Sequence, residues 1–119
     1  MINHRLKLES ATGTYDFPPP PGLMRRPVST TFGGNADDII DGGRGADVIY
    51  CGNGSDYLDG NSGADILRGD QDDDDLFGGL GQDQLFGNNG NDNLDGGKAK
   101  DFCDGGRGDD GIVNCESTH

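Results

Sequence analysis

Nine aspartates stand nine residues apart: Asp38, Asp47, Asp56, Asp65, Asp74, Asp83, Asp92, Asp101 and Asp110. A carboxylate can move a proton, attack as a nucleophile or hold a hard cation. The first two roles need a positioned partner group. The only histidines, His4 and His119, lie in the tails, and no Ser/His or Cys/His set falls between Gly33 and Val113. The expectation is therefore a protein that is not an enzyme. Cation binding fits better. Calcium takes roughly six to eight oxygens in flexible geometry and mixes carboxylates with main-chain carbonyls.

The residues around the aspartates keep the same beat. Residues 33–113 are nine consecutive nonapeptides: GGNADDIID, GGRGADVIY, CGNGSDYLD, GNSGADILR, GDQDDDDLF, GGLGQDQLF, GNNGNDNLD, GGKAKDFCD and GGRGDDGIV. Position six is always Asp. Position one is Gly in eight, the exception being Cys51, and position eight is Ile or Leu in eight, the exception being Cys103. Position two is Gly, Asn or Asp throughout, and position four is Gly in six, with Ala36, Asp72 and Ala99 departing. Gly, Asn and Asp tolerate positive φ, so positions one to four are expected to turn sharply and aim carbonyls to one side. Positions seven to nine are expected to form a very short strand, with position eight inward and its neighbours outward.

Turn, strand, turn, strand makes a flattened coil of eighteen residues, counting two nonapeptides. Coils of this kind stack by parallel pairing, at about 4.8 Å per strand. The winding itself supplies the long connection that parallel strands need. The expected fold is all-β: a right-handed parallel β-roll, or solenoid, over residues 33–113. Residues 1–32 are expected to be a mostly irregular N-terminal segment and 114–119 a tail. Pro18-Pro19-Pro20-Pro21 reads as a stiff linker. Leu6, Leu8, Tyr15 and Phe17 read as a strand capping one end of the roll.

Composition sharpens the cation argument. Only 30% of the 119 residues are hydrophobic, while 23 are Gly. One aliphatic side chain per nonapeptide is a sparse core against the entropy of ordering the chain. Residues 33–113 hold nineteen acidic and five basic side chains, a charge of −14. Such a block repels nucleic-acid phosphates and anionic membranes and attracts cations. No apolar run is long enough to span a membrane. Turns of repeats i and i+2 fall on the same side of the coil. An ion between them takes the position-six carboxylate of each, with carbonyls from both turns. Nine repeats give at most seven such calcium sites. The fifth turn, with Asp72 to Asp75, is expected to bind tightly, and the eighth, with Lys98 and Lys100, weakly.

GGRGADVIY, CGNGSDYLD, GGLGQDQLF and GNNGNDNLD resemble the RTX, or haemolysin-type calcium-binding, nonapeptide; this repeat is among the standard solenoid signatures. The resemblance covers about two thirds of the chain. It implies calcium ions in the turns of a parallel β-roll that is disordered without calcium and folded with it. It also implies a secreted, extracellular protein, although residues 1–32 lack the apolar run of a signal peptide. Cys103-Asp104 and Cys115-Glu116 resemble the ends of some secreted members, where a disulfide staples the last coil. Two free thiols is the alternative. Cys51 is then left unpaired at a turn, a candidate for an intermolecular bridge.

Two other functions compete with a calcium-folded module. One is an adhesion or interaction module, for which Arg68-Gly69-Asp70 and Arg107-Gly108-Asp109 are the adhesive tripeptides. They occupy different phases of the repeat, which favours coincidence. The other is the C-terminal repeat tail of a larger secreted enzyme or toxin.

Overall fold

The computed structural model describes residues 4–7 and 30–118. Every regular element among them is a strand: β1 (His4–Lys7), β2 (Thr30–Gly34), β3 (Asp38–Asp41), β4 (Val48–Gly52), β5 (Tyr57–Asp59), β6 (Ile66–Asp70), β7 (Asp75–Phe77), β8 (Gln84–Asn89), β9 (Asn93–Asp95), β10 (Phe102–Arg107), β11 (Gly111–Val113) and β12 (Ser117–Thr118). They fall alternately into two sheets. The first runs β1-β3-β5-β7-β9-β11 and the second β12-β10-β8-β6-β4-β2. All pairings are parallel, as the winding coil requires.

Each nonapeptide contributes one strand at positions seven to nine. The register is eighteen residues throughout the repeats, for example Ile39↔Tyr57 and Tyr57↔Asp75 in the first sheet. Position eight points inward. Ile40, Ile49, Leu58, Leu67, Leu76, Leu85, Leu94 and Cys103 are at most 1% exposed and form one continuous core between the sheets. One aliphatic residue from each half-coil fills the thin interior, so any wider layer would leave a void.

Outward side chains stack into ladders. On the second sheet Phe32 lies over Tyr50 with ring centroids 5.2 Å apart. The Arg68 guanidinium sits between Tyr50 and Phe86, 5.8 and 5.5 Å from their centroids. On the first sheet Tyr57 and Phe77 are 5.0 Å apart. Register sets Phe32, Tyr50, Arg68 and Phe86 opposite one another, whereas Tyr57 meets Phe77 diagonally; each contact adds about 0.5–1.5 kcal/mol.

The stack runs past the full repeats at both ends. β2 pairs with β4, placing Thr31 opposite Ile49, and Thr31 is buried. β1 pairs with β3, His4 opposite Asp38. Leu6 therefore belongs to a strand, while Leu8, Tyr15, Phe17 and Pro18–Pro21 lie outside the described residues. At the other end Ser117 pairs with Phe102 at a spacing of fifteen residues. The shortened last turn carries Cys115 to Cys103, which the structure pairs, with Cα atoms 6.0 Å apart. Cys51 departs from the sequence expectation. It is completely buried in the core cluster. A thiol with no exposed surface is not presented for an intermolecular bridge.

Candidate metal centre

The turns between strands form two columns. Turns 33–38, 51–56, 69–74, 87–92 and 105–110 lead from the second sheet to the first, and we call them the odd column. Turns 42–47, 60–65, 78–83 and 96–101 lead back and form the even column.

Positive φ occurs at two places in each turn. Position two adopts it in Gly34 (φ 97°), Asn61 (70°), Asp70 (77°) and Asn88 (77°). Position four adopts it in Gly45 (108°) and also in Ala36 (83°), Asp72 (76°) and Ala99 (88°). The expectation that positions one to four all need this freedom is thus too broad. Position-one glycine is required for space. A Cβ on Gly78 would stand 2.5 Å from Asp83 Oδ2 and 2.7 Å from the Gly96 carbonyl oxygen; on Gly60 it would stand 2.6 Å from Asp65 Oδ2 and 2.9 Å from the Gly78 carbonyl oxygen. The empty volume of that glycine is bracketed by a carboxylate oxygen of its own turn and a carbonyl oxygen of the next turn in the column.

The position-six aspartates are buried from Asp38 to Asp101, none more than 3% exposed, and Asp110 is half-buried. From Asp56 to Asp110 the Oδ1 atom accepts the main-chain N–H of the position-six residue one coil earlier. The distances are 2.7 Å for Asp38 N to Asp56 and 2.8 Å for Asp47 N to Asp65, Asp56 N to Asp74, Asp65 N to Asp83, Asp74 N to Asp92 and Asp83 N to Asp101. Asp92 N to Asp110 is 2.9 Å. These seven bonds cross the seven gaps between stacked turns. Sequence reasoning missed this second job of the aspartate, because spacing alone does not reveal which oxygen is already engaged.

The other oxygen carries the chemical signal. Oδ2 of Asp74, Asp83, Asp92 and Asp101 is buried with no hydrogen-bond partner, while the Asp56 carboxylate is met by the Cys51 thiol. A buried, unpaired carboxylate oxygen is costly unless it is protonated or meets a cation. Burial accordingly pushes Asp74 up to about 8, with its main-chain hydrogen bond opposing and Asp56, Asp92 and Asp72 adding to the rise. Burial also raises Asp56, Asp83 and Asp92 to about 6 and raises Asp101. In repeat 3 the glycine space is filled by Cys51, whose thiol burial pushes up, helped by Asp56, Asp74 and Asp38.

The donor set suits a hard cation. Among the described residues no three acidic, histidine or cysteine side chains converge on one point. An ion here must therefore take main-chain oxygens along with one or two carboxylates. The turns supply them: position-four carbonyls of Ala36, Gly45, Gly63, Asp72 and Gly90 lie against the glycines of the next coil. Oxygen donors of mixed type, with Cys51 the one thiol among them, fit calcium. The structure brings together all nine aspartates expected from the sequence, in columns of five and four.

Comparison with known proteins agrees. The model of the RTX calcium-binding nonapeptide repeat matches residues 32–67, 50–85 and 81–112. No curated protein and no solved structure matches the chain. Among the described residues no helix is long and apolar enough to cross a membrane. With repeat beat, parallel roll and family match in agreement over more than half its length, the chain belongs to the RTX calcium-binding repeat family.

Proposed function

We propose that this roll is a calcium-switched folding module of a secreted protein, with the nine position-six aspartates as side-chain ligands. The observation that carries the reading is the row of buried, unpartnered Oδ2 atoms on Asp74, Asp83, Asp92 and Asp101. Calcium supplies positive charge between the stacked turns. The chain supplies a carboxylate oxygen from position six and main-chain carbonyls from the neighbouring turns. The Oδ1 bonds hold the carboxylates from Asp56 to Asp110 in place and would leave Oδ2 of Asp74, Asp83, Asp92 and Asp101 for the cation. Without cations, buried carboxylates line both columns and the single-file core has little to set against them.

Family membership supports the extracellular setting, where calcium is plentiful. The Cys103–Cys115 pair supports an oxidising compartment. The adhesive alternative finds less support, since Arg68 of one tripeptide is held between Tyr50 and Phe86. Circular dichroism in calcium and then in excess chelator tests the proposal. The β signal should collapse on chelation and return on adding calcium, and an unchanged spectrum would overturn it.

A further inference from the structure

The two columns have unequal charge. The five odd turns hold ten acids, Asp37, Asp38, Asp56, Asp70, Asp72, Asp73, Asp74, Asp92, Asp109 and Asp110, against Arg107 alone, which gives −9. The four even turns hold only Asp47, Asp65, Asp83 and Asp101 against Arg44, Lys98 and Lys100, which gives −1. Asp41, Asp59 and Asp95 end the strands that enter the even turns. Counting them there still leaves that column at only −4.

The extra odd-side acids are fixed by the fold. Asp37 Oδ1 accepts Ser55 N at 2.9 Å, Asp73 Oδ1 accepts Asn91 N at 2.8 Å, and Asp72 Oδ2 accepts Gly54 N at 3.1 Å. On the even side the Lys98 main chain is stacked on Gly79, its N–H bonded to the Gly79 carbonyl at 2.9 Å. Its exposed side chain therefore starts from that column.

From this we infer that calcium loads the roll in two stages, the odd column first and tightly, the even column later and weakly. The inference rests on the calcium reading above and adds an order of filling to it. Five odd turns leave four gaps. Four dications bring +8 against −9, which is close to neutral. Four even turns leave three gaps, and three dications would bring +6 against −1, or against −4 with the strand ends. Filling the even column therefore accumulates positive charge, whereas filling the odd column removes negative charge. Charge count around oxygen ligands is the main lever on calcium affinity. Buried oxygens await a cation on both sides, as Asp74 and Asp92 show for the odd column and Asp83 and Asp101 for the even. Both columns are therefore built to bind, and surrounding charge sets the order.

The test is calorimetric calcium titration of the full chain at low ionic strength, alongside circular dichroism. The wild type should show a tight class of about four ions and a weaker class of up to about three. Asp70→Asn, Asp72→Asn and Asp73→Asn together keep the acceptor oxygens and spare position six. They should weaken the tight class about tenfold or more and leave the weak class in place. Lys98→Gln with Lys100→Gln removes charge without touching a buried group. It should tighten the weak class severalfold and leave the tight class unchanged. A single class of ions in the wild type, or Lys variants that leave the weak class unmoved, would overturn the order of filling. An absence of any heat or structural change with calcium would instead defeat the calcium reading itself.

Discussion

The two turn columns of this roll share a backbone, a register and a position-six aspartate, yet they differ by eight units of formal charge. What they share is the work of folding: positive φ at positions two and four, a glycine void at position one, and a carboxylate-to-amide bond between coils. Most of what differs lies at positions three and five, which face solvent or neighbouring turns, and Asp70 and Asp72 add charge at positions two and four. The contrast teaches that a repeat separates its structural alphabet from its electrostatic one. Identical turns can be tuned to different cation affinities without altering the fold.

The largest effect should come from a change that ignores the contrast. Leu67→Ala empties a fully buried place in the shared core and should cost about 2–5 kcal/mol in the calcium-loaded roll. Thermal unfolding in saturating calcium should show it, with both classes of ion weakened together. Loss of one class alone would mean that the columns do not share one cooperative core.

Removing single ligands should separate the columns. Asp74→Asn keeps an oxygen for the Asp56 amide but removes the charge at the most acidic turn. The calcium midpoint of folding should rise about tenfold, or ~1.4 kcal/mol. Asp83→Asn keeps the corresponding oxygen for Asp65 and should shift that midpoint less, because its column fills later. Equal shifts would erase the comparison.

Acid should act as a weak substitute for the metal. In the metal-free fold burial raises Asp56, Asp83 and Asp92 from 3.8 to about 6 and Asp74 to about 8. The folded state therefore binds more protons than the unfolded one between about pH 4 and pH 8, and its stability falls as pH rises through that window. In chelator, β signal should be greatest near pH 4 and decline toward pH 8. Apparent calcium affinity should rise over the same range, since the ion must displace those protons. A metal-free β signal that grows with pH would contradict the sign.

The smallest effect is a backbone one and should be equal on both sides. Ala36 in the odd column and Ala99 in the even column both hold positive φ. Ala36→Gly and Ala99→Gly should each stabilise the loaded roll by about 1 kcal/mol, read from thermal unfolding, without changing the number of ions bound.

Much of this was legible in the sequence. Periodicity placed the strands and the inward row from Ile40 to Leu94, because only one residue in nine can face so thin a core. It also grouped the nine aspartates, since the beat fixes which turns stack. Physical detail that leaves no compositional trace stayed hidden. The double duty of Asp56 or Asp83 depends on which oxygen meets an amide. The glycine at Gly78 marks a void between oxygens, whereas the glycine at Gly79 marks positive φ, and the two look alike in a sequence. Thr31 lies buried opposite Ile49 but is polar, so β2 did not show in the beat. Cys51 was read as a turn residue available for bridging because position one carries no side chain elsewhere from which to read its direction.

Cations seated between stacked turns, more firmly in one column than in the other, are what the proposed roll requires. Anomalous diffraction from crystals grown at limiting calcium tests both parts at once. Peaks should lie in the gaps of the odd column beside Asp56, Asp74 and Asp92, with weaker peaks or none in the even column. An ordered roll with no peak in either column, or with the even column filled first, would contradict it.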